Sequence, residues 1–364
     1  MTRYCRANAP SFRLTEVAIL VTRNSDQQRL GQRGQPRKPP LGRANGSNDR
    51  PSRGGAYASR LSLPTSAGVN QPVVSVLTPS YNQARWLPDN LRSVAGQSYA
   101  SIEHIVMDGG STDGSRDILA GASPGVVWES QPDGGQSEAI NSAFQGSTGE
   151  ILGWLNSDDA YFSSDVVAQV VDVFQREPDV GVVYGHAALV NGDGTILHVL
   201  WTPSFAPTLL RAYDLICQPT VFVRRSAIGR EGLVDPAFQY CMDWELLLHL
   251  APRTRFFRLD RILAIDRHHL HRKSLNRLDL AALDQNEIVR RYRIPAVASN
   301  PLLLKATKVA IRLAGLSKVR EVALGSDLLP LNVDSSRGIA FRQVAQFRRW
   351  MPSGDRTDGP QGAA

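Results

Sequence analysis

The sequence predicts an α/β fold: a mostly parallel central sheet flanked by helices, then a mixed half, then C-terminal helices. Three observations predict it. From Val73 to Gly185, short apolar runs of β type alternate with helix-spaced segments of about ten to fifteen residues. Polar, often Gly-rich clusters follow those runs, and a parallel sheet binds its ligands beyond the carboxyl ends of its strands. The chain has 364 residues, 42% of them hydrophobic. That is enough for a substantial core, with a margin for unpacked segments.

Taken in order, residues 1–70 are expected to be a disordered basic segment. The stretch 22–72 is rich in Arg, Gly, Ser, Asn, Gln and Pro and poor in large apolar residues, so it buries too little surface to offset its ordering entropy. A folded domain is expected over 71–275. VVSVLT reads as a buried strand ending in the Pro-containing loop TPSYN. ARWLPDNLRSVAGQ spaces Trp86, Leu91 and Val94 as a helix. IEHIVMD is a second strand ending at Asp108, GGSTDGS a turn, SRDILAGA a short helix and VVWES a third strand. GQSEAINSAFQGS is a helix and EILGWL a fourth strand. SDVVAQVVDVFQREP has a Ser/Asp start, an amphipathic body and a Pro stop. VGVVYG is the next strand. Beyond Gly185 the pattern becomes mixed: a hairpin around NGDG, a strand QPTVFVRR, a helix MDWELLLHLA and a strand pair RFFRLDRILAIDRH.

Charge and cysteine content exclude several classes. The net charge is +7, but residues 1–70 carry +9 and 301–350 carry +6, while 71–300 carry −7. A nucleic-acid-binding domain displays its basic patch on its folded surface, so no nucleic-acid partner is expected. Cys5, Cys217 and Cys241 are odd in number and widely spaced, which fits neither a disulfide framework nor a zinc site. No apolar run approaches the roughly 18 residues of a membrane span, and the first residues lack a signal-peptide core. The expected location is cytoplasmic.

Four polar clusters fall at the ends of the strand-like runs: Pro79 to Asn82, Asp108 to Asp113, Asp133 to Gln136, and Asn156 to Asp159. In GWLNSDDAYF, the adjacent Asp158 and Asp159 end a strongly apolar segment. Such a pair is either a solvated turn with a cap downstream or the seat of a divalent cation that cancels the repulsion. Oxygen ligands of this kind suit Mg²⁺ or Mn²⁺. DGGSTDGS fits neither a Walker loop nor the dinucleotide fingerprint nor a calcium loop. Asp243 opens a helix among apolar residues, as a dipole partner or as a partly desolvated general base. DRHHLHRKS gathers three His with Arg267, Arg272 and Lys273, as a solvated surface or as a contact for phosphate or metal.

Together, VSVLTPSYN, IVMDGGSTDGS, QPDGGQSEAINSAFQGSTGEILGWLNSDDAYF and FQYCMDWELLLHLA resemble an inverting family 2 glycosyltransferase of GT-A fold, over about residues 73–275. The resemblance implies a nucleotide-diphosphate sugar donor of UDP or dTDP type, a divalent Mg or Mn ion, and a glycan, lipid-linked or polysaccharide acceptor. It implies that Pro79, Tyr81 and Asn82 lie against the base and that Asp108 reads it. Many relatives carry a second Asp where this chain has Gly109. Asp133, Gln136 and Asn141 fall near the donor. Asp158 is implied at ribose and metal, Asp159 at the metal, and Asp243 as the catalytic base. Arg267, His269, Lys273 and Ser274 resemble a family ending in which His269 and Lys273 meet phosphate or metal. The competing readings are a nucleotide-sugar-binding protein without turnover and a sugar nucleotidyltransferase. TPSYNQ lacks the Lys/Arg-containing triphosphate loop that the latter needs.

Residues 276–351 are expected to form a helical extension. PLLLKATKVAIRLAGLSKVREVAL, residues 301–324, is a basic amphipathic segment that fits packing on the catalytic domain or peripheral contact with the inner face of a membrane. IAFRQVAQFRRW, residues 339–350, is of the same type. The tail 352–364 is expected to be disordered.

Overall fold

A computed structural model describes residues 71–273, 277–295, 314, 318 and 326–333. The expectations for 1–70, for Ser274, for 301–324 apart from two positions, for 339–350 and for 352–364 lie outside the described residues.

The chain folds in the order β1 (Val74–Ser80), α1 (Leu87–Ala95), β2 (Ile102–Asp108), α2 (Ser115–Ala120), β3 (Val126–Ser130), α3 (Gln136–Gly146), β4 (Ile151–Trp154), β5 (Ala160–Tyr161) and α4 (Val166–Arg176). The mixed half follows with β6 (Val180–Asn191), β7 (Thr195–Leu200), α5 (Pro207–Ala212), β8 (Phe222–Arg224), α6 (Arg225–Ile228), α7 (Met242–Leu250), β9 (Arg255–His268), α8 (Leu278–Arg291) and β10 (Asn332–Val333).

Strands β3, β2, β1 and β4 lie side by side and parallel. A helix joins β1 to β2, β2 to β3 and β3 to β4, as crossover connections between parallel strands require; the last of these crossovers carries the chain from one edge of the group past β2 and β1 to the far side. β4 pairs antiparallel with β8, and β8 with β6. β6 also carries the hairpin partner β7 antiparallel and β9 parallel. Every residue of β1 is buried, as expected for a central strand covered on both faces. On one face Leu77, Ile105, Leu152 and Trp154 pack with α3 and α7 through Ile140, Phe144, Leu246 and Leu247. On the other, Val74, Val76 and Ile151 pack with α4 through Val167, Val170 and Phe174.

Three elements depart from the reading of the sequence. β1 runs through Pro79, which stands opposite Met107, so this proline lies inside the strand. Only Phe222–Arg224 of QPTVFVRR is strand, because Gln218–Thr220 turn as a 3₁₀ helix. RFFRLDRILAIDRH is one continuous strand rather than a pair. Register shifts against β6 absorb its irregular middle. The start of the expected extension packs into the main core: Ile288 of α8 and Ile294 just beyond it are buried there. Asp327 accepts the backbone N–H of Ser164 at 3.0 Å, which ties the returning segment 326–333 to the start of α4. Among the described residues, no helix is long and apolar enough to cross a membrane.

Gly153 in β4 is a point of close approach. A Cβ there would meet the Tyr161 hydroxyl at 2.6 Å and the Phe222 ring at 3.0 and 3.2 Å, and both rings are fully buried and stacked. Gly153→Ala is therefore expected to cost about 1–3 kcal/mol through overpacking. Urea unfolding checks this: the midpoint falls while the slope is unchanged.

Candidate active site

All four polar clusters lie on the carboxyl edge of the parallel strands. After β1, Tyr81 stands 63% exposed. Asn82 takes a left-handed φ of 52°, which asparagine tolerates better than most residues. Its N–H donates to Ser111 Oγ at 2.7 Å, and its Oδ1 accepts the Thr112 N–H at 2.9 Å. Asn82 thus fastens the first loop to the second. At the end of β2, the buried Asp108 carboxylate accepts the Ser111 N–H (2.8 Å), Ser111 Oγ–H (2.5 Å) and Ser130 Oγ–H (2.7 Å). These bonds shape the DGGSTDGS loop and join it to β3.

After β3, Asp133 Oδ1 accepts the Gly135 N–H at 2.9 Å. The residue as a whole is exposed, but its carboxylate is recessed against Gly109 and Tyr81. That desolvation pushes its pKa up, with smaller pushes from Glu138 and Asp108. The Gly135 bond and Lys273 act in the opposite direction.

The loop after β4 is organised around Asn156. Its Oδ1 accepts from Gln136 Nε2 and from Trp154 Nε1, each at 2.8 Å. Its Nδ2 donates to Gln218 Oε1 at 3.0 Å and to Asp159 Oδ2 at 3.2 Å. The two aspartates then diverge. Asp159 is 2% exposed, and its Oδ1 accepts the backbone N–H of Arg267 at 3.0 Å. Asp158 turns toward the crevice, where its Oδ2 lies 2.9 Å from His269 Nε2. Arg267 clamps this loop: its Nε donates to the Asp158 carbonyl (3.1 Å), and its terminal nitrogen meets Asp89 at 2.9 Å.

His269 is held by its ring face. It stacks on Trp86 with centroids 3.7 Å apart, and the Trp86 Nε1–H is fixed on the Gly192 carbonyl at 3.1 Å. The His269 Nδ1 is buried and has no hydrogen-bond partner among the described residues. Lys273 reaches the same edge, donating to the Gln239 carbonyl at 2.7 Å and to Gln136 Oε1 at 3.3 Å. It lies over the Tyr240 ring at 5.0 Å. Burial pushes its ammonium down to about 8, against the pull of Asp284 and Asp133.

Asp243 sits in the first turn of α7, with Oδ1 accepting the Trp244 N–H at 3.0 Å. It lines a mainly apolar cavity together with Trp154, Gln218, Val221 and Leu246. Trp154 and Gln218 are also the partners of Asn156, so this cavity shares a wall with the acidic loop.

The fold therefore gathers Gln136, Asp158, Asp159, His269 and Lys273 in one bonded network, with Tyr81 and Asp133 on the same sheet edge and Asp243 beyond Trp154 and Gln218. Other predicted positions are committed elsewhere. Pro79 is buried in β1, and the Asn141 amide is taken up at both ends by Val234, at 2.9 and 3.1 Å. Two contributors escaped the sequence reading. Gln218 lay in a segment read as plain strand, and Trp86 looked like an ordinary apolar position of a helix.

This sheet, with its acidic loop after the fourth parallel strand and a mixed half beyond, is the GT-A architecture. The model for glycosyl transferase family 2 matches residues 75–228. An uncharacterised glycosyltransferase of Mycobacterium tuberculosis is 40% identical over 184 residues, covering 50% of this chain and 69% of that protein. A PGL/p-HBAD biosynthesis glycosyltransferase of Mycobacterium bovis is 28% identical over 178 residues, covering 48% of this chain and 68% of its own. A crystal structure of S. aureus TarS residues 1–349 with UDP-GlcNAc is similar at 19% identity and a TM-score of 0.49, over 69% of this chain and 75% of that one. The chain belongs to glycosyltransferase family 2, and it is a glycosyltransferase.

Both aspartates hold buried donors. Asp159→Ala strands the buried Arg267 N–H, a loss of about 1–3 kcal/mol. Asp158→Ala strands His269 Nε2, whose side chain is 5% exposed, and should cost stability in the same range. Thermal melts check this: both variants should show a clear fall in Tm.

Proposed function

We propose that the protein transfers a sugar from a nucleotide-diphosphate donor of UDP or dTDP type to a hydroxyl of a glycan or lipid-linked acceptor, with inversion at the anomeric carbon. The observation that carries this reading is the pairing of Asp158 with His269 at 2.9 Å on the carboxyl edge of the sheet, with Asp243 on an adjoining apolar cavity.

The pair fits a divalent ion. Neighbouring ligands of an octahedral ion with bonds of about 2.1 Å lie about 3 Å apart, which matches the carboxylate–imidazole spacing. In the observed pair the carboxylate accepts from Nε2–H; binding an ion at Nε2 would require that proton to leave or to move to Nδ1, which makes no hydrogen bond with the described residues. Mg²⁺ and Mn²⁺ are held by few protein groups and complete their shell with phosphate and water. We assign the ion to Asp158 and His269, and read Asp159 as the residue that positions them. A bound divalent ion would neutralise charge building on the leaving diphosphate.

The chain's own groups account for the remainder. Lys273 adds a cation beside Gln136 for the same phosphates. Asp243 takes the proton from the acceptor hydroxyl, whose oxygen attacks the anomeric carbon as the bond to the diphosphate breaks. Asp243 is half-buried on the apolar cavity wall, a setting in which a carboxylate can serve as a base.

The test is a panel of nucleotide sugars with and without Mg²⁺ or Mn²⁺, following release of nucleoside diphosphate. Activity that persists undiminished in chelator would remove the metal assignment. Asp243→Asn should lower kcat by at least about a hundredfold while isothermal titration finds nucleotide affinity within about twofold of wild type. Full activity in that variant would remove the base assignment.

Lys273 sets a pH limit. It is cationic below about 8 and neutral above. Nucleoside diphosphate affinity should therefore hold from pH 6 to 7.5 and weaken by up to about tenfold per unit above 8. The alkaline loss should vanish in Lys273→Arg, whose charge persists.

A further inference from the structure

We propose that Asp266 and Arg272 form a buried latch that sets His269 and Lys273 in place, two positioning residues that act on the donor site without touching the donor. The inference rests on the roles given to His269 and Lys273 above.

His269 and Lys273 stand on the stretch that leaves the end of β9. Each meets a different loop: His269 lies against Asp158 after β4, and Lys273 donates to Gln136 at the start of α3. A stretch outside regular structure keeps two such groups aligned only when its own path is held by packing and bonding.

Asp266 supplies the hold. Successive side chains of a strand point to opposite faces. Arg267 reaches Asp89 and the Asp158 carbonyl on one side, while Asp266 turns into the protein and is 0% exposed. Its Oδ1 lies 2.7 Å from Nη1 of Arg272, whose side chain is 11% exposed. Arg272 also closes the turn itself. Its N–H donates to the His269 carbonyl at 3.1 Å, and its Nη1 donates to the Arg267 carbonyl at 3.3 Å. His269 is thereby clasped between Arg267 and Arg272, and Lys273 follows directly. The other carboxylate oxygen of Asp266 accepts from the Cys217 thiol at 3.5 Å. Cys217 precedes Gln218, which bonds Asn156 and borders the cavity of Asp243. One carboxylate thus ties the histidine stretch to the far wall of the crevice.

Stability alone does not account for the pair. Desolvation of two buried charges offsets their attraction, and an apolar pair of the same volume would hold the stretch as firmly. The rigid guanidinium fork adds direction: it dictates where Arg272 stands, and so where its neighbour Lys273 begins. Without its anion the guanidinium would move out to water and draw the stretch with it.

Isothermal titration of the full chain with UDP, dTDP and GDP in the presence of Mn²⁺ tests the proposal, at a temperature well below the melting midpoint of each variant. Asp266→Asn and Arg272→Gln should each weaken nucleotide binding about tenfold to a hundredfold. Arg272→Lys keeps the charge and should recover part of that loss. The double variant Asp266→Asn/Arg272→Gln should bind no worse than the weaker single variant, because both changes open one latch. If Asp266→Asn does not fold, the two Arg272 variants carry the test. Folded variants that melt earlier yet bind as tightly as wild type show a merely structural pair and overturn the proposal. Losses that multiply in the double variant overturn it too. A wild type that binds none of the three nucleotides overturns the donor reading itself, and this inference with it.

Discussion

The buried carboxylate of Asp159 is the constraint around which the site is arranged. A charge at 2% exposure must be met by fixed donors. Here they are the Arg267 N–H at the end of β9 and the Asn156 amide on the loop itself. Because the first donor is backbone, it fixes where that strand ends relative to the loop after β4. His269, two residues beyond Arg267, then arrives against Asp158, and Trp86 sets the plane of its ring. The Arg267 side chain closes the arrangement by reaching back to the Asp158 carbonyl and to Asp89 on α1. One satisfied anion thereby aligns three segments that are remote in sequence.

The negative balance of residues 71–300 has a related explanation. Several acids in this region act as internal acceptors rather than as solvated surface. Asp108 organises one loop, Asp284 receives the N–H groups of Gln239 and Tyr240 at 2.7 Å each, and Glu103 takes the N–H of Gly149 at 2.9 Å. A backbone forced into tight, irregular loops at a sheet edge leaves many N–H groups without ladder partners. Carboxylates satisfy them strongly because the bonds are charge-assisted.

This use of acids also explains what was legible in the sequence. Periodicity exposed the parallel half almost element by element, because strands covered on both faces read as unbroken apolar runs. Turn chemistry located the loops, and with them most of the residues of the candidate site. Residue type alone could not say which way a polar side chain faces. Asp158 and Asp159 are adjacent and identical, yet one points into the crevice and the other into the protein. Asn141 fell within a site-like motif but is spent on Val234. Trp86 and Gln218 were hidden for the opposite reason: a stacking platform looks like a core residue, and an amide in a turn looks like a connector. β9 was read as two strands because its charged middle, Arg258 to Arg261, interrupts the apolar pattern. Pairing with β6 holds on both sides of that interruption, up to Arg258 and again from Ile262.

β9 has a consequence for how the protein is made. It lies parallel to β6, with Val180 opposite Arg255 and Asn191 opposite His268, so the pairing closes a long loop of chain and is slow relative to local contacts. The residues that match the family, 75–228, end well before it. During synthesis the parallel half can condense first, with its acidic loop formed but lacking the Arg267 donor. Until residues beyond 268 have emerged and docked, Asp159 has no strand to hold and Asp158 has no histidine beside it. The nascent chain would thus complete the proposed site as one of the last acts of folding, and a ribosome-bound intermediate would be structured long before that site was assembled.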